Sequence, residues 1–160
     1  MSGIRSPGRL LPLLSGALVL LGCVAGGDSP APPSIPPPPD ALTVRVIGER
    51  YGWKVVFPGP DGRFETADDG ISGPDFHLPT GVPIRLEVTS HDYLYLLRVP
   101  RFAIKVMAVP EMTMTAVVRI EEPATGELTG DPMCGFQHGD LTGRVTVESW
   151  EDFYRWQGSL

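Results

Sequence analysis

An all-β sandwich closed by one short helix is the fold that this sequence predicts. Three observations carry it. Apolar and polar residues alternate with period two in several short runs, as strands with one buried face require. Gly and Pro clusters separate those runs, at Pro58-Gly59-Pro60, Gly73-Pro74, Gly81-Val82-Pro83 and Glu122-Pro123, where turns belong. No long stretch shows the periodicity of an amphipathic helix, which leaves a sandwich or a barrel.

Residues 1–22 read as an export leader. Arg5 and Arg9 supply a positive start, and Leu10 to Leu21 form an apolar segment of signal-peptide length. That segment is too short to cross a bilayer core of ~30 Å as a helix. The leader runs into Leu20-Leu21-Gly22-Cys23, which resembles the lipobox of bacterial lipoproteins. The resemblance implies cleavage before Cys23 and acylation of that residue, a lipid anchor holding the protein on the outer side of a bacterial membrane.

Residues 23–41 form a linker. Seven prolines lie between Val24 and Asp40, four of them in the run Pro36-Pro37-Pro38-Pro39. Such a segment favours polyproline II at ~3.1 Å per residue and cannot build a core, so it reads as a semi-rigid stalk of up to roughly 50 Å.

The folded domain is expected over 42–160. Leu42, Val44 and Val46 face one way, with Thr43 and Arg45 opposed. Ile84, Leu86 and Val88 alternate with Arg85, Glu87 and Thr89. Met114, Ala116, Val118 and Ile120 alternate with Thr113, Thr115 and Arg119, and Val145 and Val147 with Arg144, Thr146 and Glu148. At the end, Ser149 caps a helix with Asp152 three residues on. Trp150, Phe153 and Trp156 recur on one face of that helix, which docks on the sandwich.

Composition narrows the function. A length of 160 residues suits one domain with short appendages. The formal charge is −6, and −8 once Arg5 and Arg9 leave with the leader, so a nucleic-acid partner is not expected. The chain carries no Gly-rich phosphate loop and no Ser–His–Asp arrangement, and no catalytic residue is assigned. With Cys23 acylated, Cys134 is the one remaining thiol, and an intramolecular disulfide is excluded.

That thiol sits in Met133-Cys134-Gly135-Phe136-Gln137-His138. Cys134 and His138 form a compact thiolate–imidazole pair suited to copper. Two ligands do not complete a site. Met107 and Met133 are further thioethers without a demonstrated place in it. The acidic residues Asp61, Glu65, Asp68, Asp69 and Asp75 do not follow calcium-loop spacing and read as a solvated excursion.

The same loop, together with several other segments, resembles the periplasmic copper A domain of cytochrome c oxidase subunit II. Thr89-Ser90-His91-Asp92-Tyr93-Leu94-Tyr95 is similar to the family's Ser-x-Asp-Val-x-His segment, and Val99-Pro100 to the Val-Pro beyond it. Lys105-Val106-Met107-Ala108-Val109-Pro110 resembles its Lys-x-Asp-Ala-x-Pro. Ile47 to Trp53, the excursion from Phe57 to Asp69, Leu78 to Leu86, and the closing Phe153 and Trp156 also match in order. The resemblance covers about Leu42 to Trp156. It implies a cupredoxin-like Greek-key sandwich and an association with a respiratory oxidase.

The resemblance also implies where copper ligands would lie. The family's strand histidine falls on Tyr95, its first loop cysteine on Gly130, its second on Cys134, its histidine on His138 and its methionine on Leu141. The residue lending a backbone carbonyl falls on Pro132. Three of the five side-chain ligands are thus replaced. A binuclear copper A centre, which needs both thiolates, is not expected; at most one copper could sit on Cys134 and His138. His91 shares strand parity with Tyr95, so both face the same way. Four residues along a strand place it roughly 13 Å away, too far to replace the missing ligand, and it reads as a surface or edge histidine. Tyr51 and Trp53 match the aromatic strand through which electrons enter the family's domain from a cytochrome. Without a metal beneath them, packing is their expected role.

Three functions are expected on these grounds. The first is a redox-inactive docking or accessory module for oxidase subunits or a cytochrome, not catalytic alone. The second is mononuclear copper binding, as a carrier or a one-electron relay. The third is the electron transfer of the family itself.

Overall fold

The computed structural model of the protein describes residues 35–36, 38–132 and 141–160, with the side chains of 131 and 132 left aside. The leader, Cys23 and the linker up to residue 34 lie outside the described residues. So do Met133, Cys134 and His138.

Among the described residues, ten strands make two five-stranded sheets. They are β1 (Leu42–Glu49), β2 (Gly52–Phe57), β3 (Gly70–Ser72), β4 (Phe76–Pro79), β5 (Ile84–Ser90), β6 (Tyr95–Val99), β7 (Ile104–Ala108), β8 (Met114–Val118), β9 (Ala124–Pro132) and β10 (Thr142–Glu148). One sheet runs β3-β2-β1-β5-β8 and the other β4-β10-β9-β6-β7. Two pairs are parallel, β1 with β5 and β10 with β4; the other pairs are antiparallel. The expected sandwich is what forms.

The period-two pattern becomes the core directly. In β1 the even residues Leu42, Val44 and Val46 are buried, and in β5 Ile84, Leu86 and Val88 join them. Val145 and Val147 of β10 face them from the other sheet beside Leu78, Leu97 and Leu128. Each such side chain removed from water contributes about 1.5–3 kcal/mol.

The closing helix α1 spans Trp150–Gln157. The Ser149 Oγ accepts from the Asp152 N–H at 3.2 Å, satisfying one donor that the first turn leaves free. Phe153 is fully buried, and Trp150 and Trp156 pack against the core from either side. Trp156 stacks on the ring of His77 at 4.4 Å.

Two expectations need correction. Thr89 to Tyr95 is not one strand: β5 ends at Ser90, residues 91–94 turn, and β6 begins at Tyr95 in the opposite sheet. The parity argument linking His91 to Tyr95 therefore does not apply. His91 lies outside the core and its Nδ1 is 3.0 Å from Glu49. Strand β8 stops at Val118, short of Ile120, whose carbonyl accepts from the Gly81 N–H at 2.8 Å.

The excursion between β2 and β3 is pinned from outside. Arg45 reaches Glu87 at 3.1 Å and Glu65 at 3.3 Å, and its guanidinium lies 4.2 Å over the Phe64 ring. Two carboxylates of the excursion serve its own backbone: Asp61 accepts from the Arg63 N–H at 2.8 Å and Asp69 from the Glu65 N–H at 2.7 Å.

Candidate functional site

One end of the sandwich gathers the positions singled out in the sequence. The hairpin between β1 and β2, the turn between β5 and β6, and the ends of β9 and β10 meet there.

The hairpin joins Glu49 to Gly52 through two residues, Arg50 and Tyr51, with φ of 50° and 60°. Both central residues at positive φ is the geometry that matches strand twist in a two-residue hairpin, and it normally selects Asn and Gly. Here it is imposed on a long and an aromatic side chain, at a cost of roughly 1–2 kcal/mol each. The neighbouring turn holds it. The Arg50 N–H donates to Asp92 Oδ2 at 2.7 Å, and the Tyr51 N–H donates to the Tyr95 hydroxyl at 3.2 Å. The Tyr51 and Tyr93 rings stack at 5.1 Å.

Tyr95 connects this surface to the interior. Its side chain is fully buried and lies on Gly48, where any Cβ would fall 2.4 Å from the ring. Only a residue without a side chain can occupy position 48 beneath it. The hydroxyl donates to Asp92 Oδ1 at 2.8 Å. Burial, reinforced by that bond to an anion, pushes the phenol up to about 12. Burial also raises the Asp92 carboxyl, but hydrogen bonds from the Arg50 N–H, the Tyr95 hydroxyl, the Tyr93 N–H and Ser90 outweigh it and leave it below its ordinary value. At neutral pH the pair is a phenol bonded to a carboxylate.

Beneath Tyr95 the space is filled. Trp53 packs against it with ring centroids 5.7 Å apart, and the indole N–H donates to the Leu141 carbonyl at 3.2 Å. Leu141 is fully buried. Gly130 pairs with Leu97 across β9 and β6. A Cβ at position 130 would fall 2.8 Å from both Leu141 Cβ and Trp53 Nε1, and 2.9 Å from the Leu141 carbonyl oxygen. Pro132 pairs with Tyr95 at the end of the same ladder.

The structure thus brings together Tyr95, Gly130 and Leu141, which the resemblance places at three ligand positions. It adds Trp53 to them as packing. Tyr51 stacks on Tyr93 and packs against the core cluster that contains Trp53. Sequence reasoning missed Asp92 and Gly48. Asp92 carried a signal, as an acidic residue at a turn; Gly48 carried none. Among the described residues no three of His, Cys, Asp and Glu come together to hold a metal ion.

The outer side of this end exposes apolar side chains among the charged Arg50, Asp92 and Glu111. Tyr93 is 45% exposed, Leu94 41% and Met112 56%. Among the described residues, no helix is long and apolar enough to cross a membrane.

No protein-family model matches the chain. It is 28% identical over 141 residues to the alternative cytochrome c oxidase subunit 2 of Bradyrhizobium diazoefficiens, covering 74% of this chain and 51% of that one. It is 28% identical over 116 residues to cytochrome c oxidase subunit 2 of Thermostichus vulcanus, covering 72% and 32%. The chain therefore spans about half the length of the first relative and about a third of the second. Its fold matches the crystal structure of the periplasmic domain of subunit II of the Bradyrhizobium japonicum cytochrome oxidase with a TM-score of 0.61, at 20% identity, over 79% of this chain and 96% of that domain.

Proposed function

We propose, from its similarity to subunit 2 sequences and the cupredoxin-like sandwich it shares with a subunit II periplasmic domain, that this chain is an exported, lipid-anchored docking or accessory module of a respiratory oxidase-like system, in which the site of a binuclear copper centre is closed by packing. The observation that carries the reading is the contact of Gly130 with Trp53 and Leu141. It leaves no volume for a cysteine side chain where the resemblance calls for one. A buried, protonated Tyr95 already bonded to Asp92 stands at the histidine position. Leucine at 141 offers no donor atom. The residues in place do not fit a two-copper group, so no electron-transfer step is assigned through one.

What the end retains is a surface. Tyr93, Leu94 and Met112 are exposed beside the stacked Tyr51. Exposed aromatic and sulfur-containing side chains bordered by the charged Arg50, Asp92 and Glu111 suit a protein interface with a polar rim, which supports docking to an oxidase subunit or a cytochrome.

Reconstitution of the exported chain with copper tests the reading, through metal content and visible absorption. The expected result is no stoichiometric copper and no thiolate-to-copper band. Two copper ions per chain would overturn it. One copper per chain, lost in Cys134→Ala and in His138→Ala, would overturn it in favour of a mononuclear carrier or relay.

A further inference from the structure

At the opposite end of the sandwich, the proline run meets the closing helix. The Trp150 indole N–H donates to the Pro36 carbonyl at 2.7 Å, across 114 positions of sequence. Both residues line a cleft of about 410 Å³, together with Pro39, Pro58, Pro60 and Tyr154. The Trp150 and Tyr154 rings stand 6.0 Å apart at 42°, a ridged aromatic surface.

The chemistry of the two partners is complementary. A proline has no N–H, so a proline run has no internal hydrogen bonds and leaves its carbonyls as free acceptors. An indole N–H is a donor with no acceptor capacity. Flat aromatic faces take pyrrolidine rings with little loss of entropy, because the polyproline II form is already extended. The placement of the donor is built: Trp150 is the first residue of α1, and its ring is wedged against Phe153 at 5.6 Å, itself fully buried.

We infer that the Trp150–Tyr154 face of α1 is a polyproline-binding site whose occupant is this chain's own proline run, held through Pro36 with Pro39 beside it. The segment is clasped to the domain and does not act as a free spacer. The clasp lies beside the start of β1 at Leu42, whereas the Tyr51–Tyr93 stack lies at the other end of that strand. The linker is thereby held at the pole opposite the exposed aromatic patch, which leaves the patch clear for a partner.

Hydrogen exchange of the indole N–H groups in the full exported chain tests this. The four prolines 36–39 are replaced together by alanine, which leaves every strand and the helix untouched. The expected result is at least tenfold faster exchange of the Trp150 indole, with the Trp53 indole, bonded to the Leu141 carbonyl, unchanged as the report of an intact fold. An unchanged Trp150 rate, or a Trp150 indole that already exchanges at the open rate in the parent chain, overturns the proposal. Trp150→Phe, which keeps an aromatic ring and removes the donor, gives a second readout. Proteolytic cleavage of the linker should quicken in that variant, and cleavage at the parent rate overturns the role of the indole bond.

Discussion

The Tyr95 hydroxyl donates to the Asp92 carboxylate at 2.8 Å, and through that bond a buried ring supports a strained surface hairpin. Asp92 uses its other oxygen to take the Arg50 N–H, and Tyr95 takes the Tyr51 N–H. Position 95, where the resemblance calls for a copper ligand, serves here as a structural post.

Tyr95→Phe removes the hydroxyl and keeps the ring. The Tyr51 N–H loses its acceptor and Asp92 one donor. A loss of about 1–3 kcal/mol in unfolding free energy is expected, read by denaturant titration. An unchanged midpoint would show that the hydroxyl does not support the hairpin.

The same pair sets a pH window. The Tyr95 phenol is raised in the folded state, so its contribution is fully present below the ordinary tyrosine value of about 10 and is lost as pH rises toward about 12. The Asp92 carboxyl is lowered, so its contribution is present above about pH 4 and is lost as pH falls below that. Stability followed from pH 2 to 12 should lose part of its alkaline limb in Tyr95→Phe and part of its acid limb in Asp92→Asn.

Gly130→Cys would return a thiol to the family's position. Its Cβ would meet Leu141 and the Trp53 indole at 2.8 Å, and the bond between those two residues would yield. Overpacking of this kind costs about 1–3 kcal/mol. A lowered melting temperature is expected, with no gain of copper; a stable variant that binds two copper ions would refute the closed site.

Arg50→Asn addresses the hairpin. Asparagine tolerates positive φ better than arginine, and the Arg50 N–H bond to Asp92 uses only backbone. A gain of up to about 1 kcal/mol is expected in the same titration. Loss of stability would mean that the Arg50 side chain contributes to this end of the domain.

Much of the fold was legible because it is written in neighbours. Alternation in Leu42, Val44 and Val46 or in Ile84, Leu86 and Val88 follows from strand geometry alone, and those residues are buried. The Ser149 cap and the aromatic spacing of α1 are equally local. The continuous strand expected through His91 and Tyr95 failed because a turn can occupy the same alternation. Only the hydrogen bonds of Asp92 and Ser90 reveal it.

The sequence by itself determined the alternating strands β1, β5 and β10, the closing helix and the identity of the residues at positions 95, 130 and 141. Tertiary structure decided what those residues do. Trp53 and Leu141 are 88 positions apart, Tyr51 and Tyr95 44, and Trp150 and Pro36 114. Which ring fills the space above Gly48, and which carbonyl receives an indole, depends on how two sheets stack. Side-chain period specifies a face, whereas the partner across that face is set by the packing of the whole sandwich.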